Sequence, residues 1–347
     1  MRILLTADPE LAVPPGGYGG IERIVDGLAR ALRAGGHTVA LVARAGSTCP
    51  VDARFAWPAR RSQSLLGTPL NLRALNRAVR AFGPDLIHSF SRLAYLVAQL
   101  RSGRTPVVMS YQRHPGARGV RLASRLARGP LQFTGCSEYI CRLGRAAGGE
   151  WIAIPNFADT AAIDFVASVP PDAPLLFLSR IESIKGPHLA IAAARAAGRA
   201  LVLAGNRART GPEAGYWRDR IAPELDRGDV SWAGEVDDRR KNELLGRAAA
   251  LLVPIQWDEP FGIVFAEALA AGTPVITCPR GAAPEIVRDG IEGFLVADAA
   301  GAAAAVARLP AISRRACRAR AEARFSLDAV AARYLDLYRA LVRRDER

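Results

Sequence analysis

The chain has 347 residues, half of them hydrophobic, with 47 Lys and Arg against 33 Asp and Glu and a net charge of +14. That length exceeds what one hydrophobic core usually holds, so two domains are expected, while no apolar run reaches the roughly 18 to 20 residues needed to span a bilayer. Five scattered cysteines (Cys49, Cys136, Cys141, Cys278, Cys317) without a CxxC pair fit neither a disulfide framework nor a zinc site, and read as reduced, mostly buried thiols.

At the N-terminus, Met1-Arg2-Ile3-Leu4-Leu5 leads directly into a strand without the marks of a secretory signal, so a cytoplasmic location is expected. Leucine-rich or β-branched runs then alternate with alanine-rich helical stretches, the pattern of βα units on parallel sheets. It occurs twice. Strands are predicted near 2–7, 38–43, 85–89, 106–110 and 151–154, with a helix over 21–34, and again near 175–179, 200–204, 230–232, 250–255 and 274–278. The break is placed at Ile154-Pro155-Asn156, giving domains over 1–155 and 156–326. A closing amphipathic helix over 327–347, with Val330, Tyr334, Leu337, Tyr338 and Leu341 on one side, is expected to pack back toward the first domain. Ligands are expected where loops leave the carboxyl ends of the strands.

Charge is unevenly spread. Residues 1–155 hold 21 Arg against 8 acidic residues, whereas only Lys185 and Lys241 among all the basic residues are lysine. The basic first half suggests an anionic partner such as a membrane surface, an acidic lipid acceptor or nucleic acid. Arg118, Arg121, Arg125 and Arg128 recur at helical spacing with Leu122 and Leu126 on another face. That segment reads equally as a helix lying on anionic lipid, giving a peripheral location, or as a solvated face.

Three loops carry candidate chemistry. After the first strand comes Pro14-Pro15-Gly16-Gly17-Tyr18-Gly19-Gly20, just before a helix; such a glycine cluster suits close backbone approach to a ligand, or simply a flexible loop. After the first strand of the second half, Arg180 and the Lys185-Gly186-Pro187 turn put two cations at a helix N-terminus, where they can grip a diphosphate. Further on, Trp257-Asp258-Glu259-Pro260-Phe261-Gly262-Ile263 leads into a mostly apolar helix that carries Glu267. By spacing alone, the two glutamates serve either sugar and ribose hydroxyls or helix-terminus and ion-pair roles.

These segments resemble the retaining glycosyltransferases of family 4 (glycosyl transferases group 1). Glu259 to Glu267 is similar to their E-x7-E signature, Pro15 to Glu22 to their PxGYGGIE loop, Arg180 with Lys185 to their R-x4-K pair, and Asp85-Leu86-Ile87-His88 to their D-x-x-H strand end. The resemblance spans essentially the whole chain. It implies an α/β GT-B fold, two Rossmann-like domains facing each other across a deep cleft, the first binding a glycan, glycolipid or small-molecule acceptor and the second a nucleotide diphosphate sugar, UDP-linked before GDP-linked. Arg180 and Lys185 would hold the diphosphate, Glu259 the transferred sugar, Glu267 the ribose, and Gly17, Tyr18, Gly19 and Gly20, with Phe261, Gly262 and Ile263, the rest of the donor; His88 would contact the sugar or acceptor, or else cap a buried strand end. Front-face attack is implied, with neither side-chain nucleophile nor metal; no DxD stands at a strand end, since Asp237-Asp238 starts a polar helix. Two departures, Asn156-Phe157-Ala158-Asp159 at the domain junction and Gln112 where a histidine is usual, concern the acceptor side. A GT-B epimerase or phosphorylase would not share this motif set, and a nucleic-acid-binding protein is disfavoured because aromatic-interleaved basic stretches are absent.

Overall fold

The computed structural model describes residues 1–17, 19–62 and 64–345. The chain divides into two compact units, Met1–Asn156 with Leu327–Arg347, and Phe157–Ser326. The whole net charge lies on the first: it holds 26 basic and 12 acidic residues, the second 21 of each.

In the first unit, strands β1 (Arg2–Thr6), β2 (Thr38–Ala43), β3 (Ala53–Ala56), β4 (Leu86–Ser89), β5 (Val107–Tyr111), β6 (Leu131–Gly135) and β7 (Trp151–Ala153) form one parallel sheet in the order β3-β2-β1-β4-β5-β6-β7. Ile3 lies opposite both Val39 and Leu86. Burial is nearly complete along β1, β2, β4 and β5, as a parallel sheet covered on both faces requires. Helix Gly20–Ala34 buries Ile24, Val25, Leu28 and Leu32 and packs against the closing helix Leu327–Asp345. That closing helix buries Val330, Tyr334, Leu337, Tyr338 and Leu341.

The second unit repeats the scheme with β8 (Leu175–Leu178), β9 (Leu201–Ala204), β10 (Val230–Trp232), β11 (Ala250–Val253), β12 (Val275–Thr277) and β13 (Gly293–Leu295), all parallel, in the order β10-β9-β8-β11-β12-β13. Buried Arg314 ties the layers together: it donates to the carbonyls of Val166, Ala248 and Gly246 and to Thr273 Oγ1, at 2.7 to 2.9 Å. Each sheet reverses its strand order once, between β1 and β4 and between β8 and β11. Crossovers leave opposite faces there, which opens a crevice at the carboxyl ends.

The ten predicted strands are present within a residue or two; β3, β6 and β13 were not anticipated. The first is a four-residue edge strand of alternating half-exposure, the second carries polar Gln132 and Thr134, and the third has three residues and opens on glycine. Among the described residues no helix is long and apolar enough to cross a membrane.

Candidate active site

Three of the second unit's charged motif residues follow the strands that meet at the switch point. β8 and β11 are neighbours; Arg180 and Lys185 follow the first, and Glu259 follows the second. Local geometry brings the two loops together. Lys185 ends a short 3₁₀ turn, and Gly186 then turns left-handed at φ 76°. A Cβ on Gly186 would stand 2.1 Å from the Pro254 carbonyl oxygen, so only glycine lets this loop pass against the segment that leads to Glu259. The Gln256 amide donates to the Ile184 carbonyl at 2.7 Å and fixes the approach. On the other side, a Cβ on Gly281 (φ 58°) would stand 2.3 Å from the Glu259 carbonyl oxygen, and the Ala282 amide donates to that same oxygen at 2.8 Å.

The result is a nearly buried ion pair. The Lys185 ammonium bonds Glu259 Oε2 and lies 4.6 Å from the centre of the Trp257 ring, while Trp257 Nε1 donates to the same carboxylate oxygen at 2.9 Å. Arg180, a third exposed, pairs with Glu182. In the same unit, Glu267 on helix Ile263–Ala270 meets Lys241 on helix Asp238–Arg247: Lys241 Nζ stands 2.5 Å from Glu267 Oε1 and 3.0 Å from an Asp238 oxygen. Asp237 caps that second helix by accepting from the Arg240 amide at 2.7 Å. Lys241 feels burial, which lowers its pKa, but the carboxylates of Glu267 and Asp238 prevail and hold it above the ordinary lysine value. Three cations therefore each face a carboxylate, a layout that can exchange carboxylate for phosphate or hydroxyl partners.

Beside this cluster, at the carboxyl ends of β9 and β10, a cavity of about 630 Å³ is lined by Asn206, Arg207, Trp217, Trp232 and Glu235 among others. The Arg207 guanidinium lies 4.7 Å from the Trp217 ring centre and 5.2 Å from that of Trp232.

The family model described as "Glycosyl transferases group 1" matches residues 162–324, and that described as "Glycosyltransferase Family 4" matches residues 18–162. A glycogen synthase of Mycobacterium tuberculosis is 30% identical over 92% of this chain and 89% of its own length. The chain is a family 4 glycosyltransferase. Among solved structures, AviGT4, a glycosyltransferase involved in avilamycin A biosynthesis, is 26% identical with a TM-score of 0.72 over 99% of this chain and 98% of its own. Anabaena Alr3699/HepE, solved in complex with UDP and glucose, shares the fold at 20% identity, with a TM-score of 0.73 over 98% of this chain and 100% of its own. The enzyme accordingly has the GT-B fold and transfers sugar from a sugar-nucleotide donor.

Within this glycosyltransferase, Lys185 and Glu259 are brought into contact, Arg180 lies on the loop of Lys185 and pairs with Glu182, and Glu267 is joined by Lys241, which sequence reasoning missed. Its scarcity was the available signal, since the chain has only two lysines. Gly262 caps the helix that Ile263 begins. The Phe261 side chain is buried, edge-on to Phe325 with ring centres 5.8 Å apart, which leaves its backbone to face a ligand.

A correction concerns His88. It is fully buried in the first unit, with Nδ1 bonded to the Tyr338 hydroxyl at 2.5 Å and Nε2 to Ser110 Oγ at 2.6 Å. Burial drives its pKa down to about 3, so the ring is neutral and has no nitrogen to offer a substrate; it caps the strand end and anchors the closing helix. In the glycine loop, Tyr18 lies outside the described residues, Gly17 accepts from Arg23 at 3.2 Å, and a Cβ on Gly19 would strike the Pro15 ring at 2.7 Å. Gly20 opens the helix.

At the carboxyl ends of β1 and β5, Asp8 Oδ1 and both side-chain amide atoms of Gln112 are buried without a hydrogen-bond partner among the described residues. Burial first, then the charge of Glu10, raises the Asp8 pKa to about 6. Unpaired buried polar atoms are rare, and a ligand rich in hydroxyls is one explanation for them.

Proposed function

We propose that the enzyme is a retaining, metal-independent glycosyltransferase whose donor is a UDP-sugar in the first instance and a GDP-sugar in the second. The observation that carries this is the ion pair between Lys185, on the loop after β8 that also holds Arg180, and Glu259, on the loop after the neighbouring β11. The diphosphate displaces the internal carboxylates from the two cations, and Glu259 and Glu267 take up sugar and ribose hydroxyls. Toward β9 and β10, the Arg207, Trp217 and Trp232 faces offer the base a stacking surface. As the bond from the sugar to the diphosphate breaks, negative charge grows where Arg180 and Lys185 stand, and their fixed charges favour its departure. The acceptor hydroxyl attacks the same face and gives its proton to the leaving phosphate oxygen.

The acceptor side is assigned to the first unit, with Asp8 and Gln112 as partners for acceptor hydroxyls. Its net positive charge and the exposed Arg118, Arg121, Arg125 and Leu122 on helix Ala117–Leu126 suit an anionic acceptor, as in glycolipid or polysaccharide assembly.

A thermal-shift screen against UDP, GDP, ADP and their sugar conjugates in EDTA, with Arg180→Ala/Lys185→Ala alongside, tests the reading. One nucleotide should stabilise the native protein and not the double variant. Absence of any shift at millimolar concentration would refute the donor site.

A further inference from the structure

We infer that Lys241 is a positioning residue for the donor ribose, and that it is lysine because arginine would occupy both oxygens of the carboxylate that the ribose needs. The inference rests on the reading that Glu267 holds the ribose.

Arginine is this chain's default cation, yet both of its lysines meet a carboxylate of the pair eight positions apart, Lys185 with Glu259 and Lys241 with Glu267. Arginine is the cation that can fork over both oxygens of its partner, and it does so at Asp52, Asp229 and Glu292, although Arg180 with Glu182 and Arg318 with Glu322 use a single oxygen. Arg33 reaches Asp52 Oδ2 and Oδ1 at 3.2 and 3.0 Å, Arg195 reaches Asp229 Oδ2 and Oδ1 at 2.6 and 3.1 Å, and Arg288 Nε stands 2.9 and 3.1 Å from the two oxygens of Glu292. The lysines leave one oxygen open. Lys241 engages Glu267 Oε1, and Lys185 with Trp257 engages Glu259 Oε2; among the described residues no hydrogen bond reaches Glu267 Oε2 or Glu259 Oε1.

The chemistry follows from donor geometry. An ammonium is a point charge that neutralises a half-buried carboxylate through one oxygen, whereas a guanidinium is a planar fork matched to two. A ribose presents O–H donors and requires an acceptor held in place and not already used. Asp238, 3.0 Å from Lys241 Nζ, fixes the ammonium from its own helix, so that Glu267 is clamped between two helices with Oε2 available.

The test compares full-length wild type, Lys241→Met, Lys241→Arg and Glu267→Gln by calorimetric binding of UDP and GDP and of their 2′,3′-dideoxy forms. The ribonucleotide should bind wild type about tenfold or more better than its dideoxy form. Both Lys241 variants should lose most of that preference while binding the dideoxy form as wild type does. Charge is kept in Lys241→Arg, which guards against simple misfolding. If Lys241→Arg retains the preference in full, the one-oxygen role of lysine is overturned and only its charge matters. If Glu267→Gln retains it, the ribose reading of Glu267 is wrong; loss in Glu267→Gln with retention in both Lys241 variants overturns the present inference alone.

Discussion

Lys185 closes on Glu259 across the junction of two neighbouring strands, and the carboxylate oxygen it holds is the same one that receives the Trp257 indole N–H. Both side chains are nearly buried, at 10% and 14% exposure, so the pair forms where charge is costly to leave unmatched. The proposed diphosphate anchor and the proposed sugar anchor thus neutralise each other until a donor separates them.

Opposite effects on product and donor are expected from Glu259→Gln. Removing the carboxylate charge releases Lys185, so the free nucleoside diphosphate should bind as well as to wild type or a few-fold more tightly. Turnover of the sugar conjugate should fall about 100-fold, the size of effect seen when one preorganised polar contact to a reacting group is lost. Calorimetry with the diphosphate and an initial-rate assay with the conjugate separate the two. Equal loss of diphosphate affinity would show that Glu259 supports Lys185 rather than competing for it.

Asp8 predicts a pH signature. Its pKa is about 6 in the folded chain against an ordinary value of 3.8, so the native state favours the protonated form. The associated stability is fully present below pH 3.8 and is lost as the pH rises through 6. Asp8→Asn should therefore stabilise the protein by about 2 kcal/mol at pH 7.5, after allowing for partial exposure, and by almost nothing at pH 4. Chemical denaturation at the two pH values measures this. Because Asn offers different hydrogen-bonding atoms, the same change should weaken the acceptor KM and leave nucleotide binding alone.

The two sheets were legible because parallel strands are buried on both faces and read as unbroken apolar runs, as Leu175–Leu178 and Ala250–Val253 do. Strand β6 was hidden by Gln132 and Thr134, whose polarity is satisfied only in three dimensions: Gln132 donates to the carbonyls of Phe133 and Glu150, and Thr134 bonds Ser110 at 2.5 Å. In the site, Arg180, Lys185, Glu259 and Glu267 announced themselves by motif, whereas Lys241 lies in a polar helix where a cation normally marks a solvated face. Nothing local connects it to Glu267, 26 residues away. His88 misled for the converse reason, since its partner Tyr338 is 250 residues distant and no spacing along the chain reports that contact.

That distant contact ties the closing helix to the stability of the first unit. His88 is neutral in the fold, with its pKa lowered from 6.5 to about 3 by burial. Unfolded chains take up the proton below about pH 6.5, so the stability this residue contributes is lost as the pH falls from there toward 3. At pH 5 the loss should be about 2 kcal/mol. Tyr338→Phe keeps the ring but leaves His88 Nδ1 buried and unpaired, which should cost about 1 to 3 kcal/mol at neutral pH. Because His88, Ser110 and Tyr338 all belong to the first unit, the variant should lower the melting temperature while nucleotide binding through Arg180 and Lys185 stays at the wild-type value. A large loss of nucleotide affinity in Tyr338→Phe, with an unchanged melting temperature, would return His88 to the substrate site.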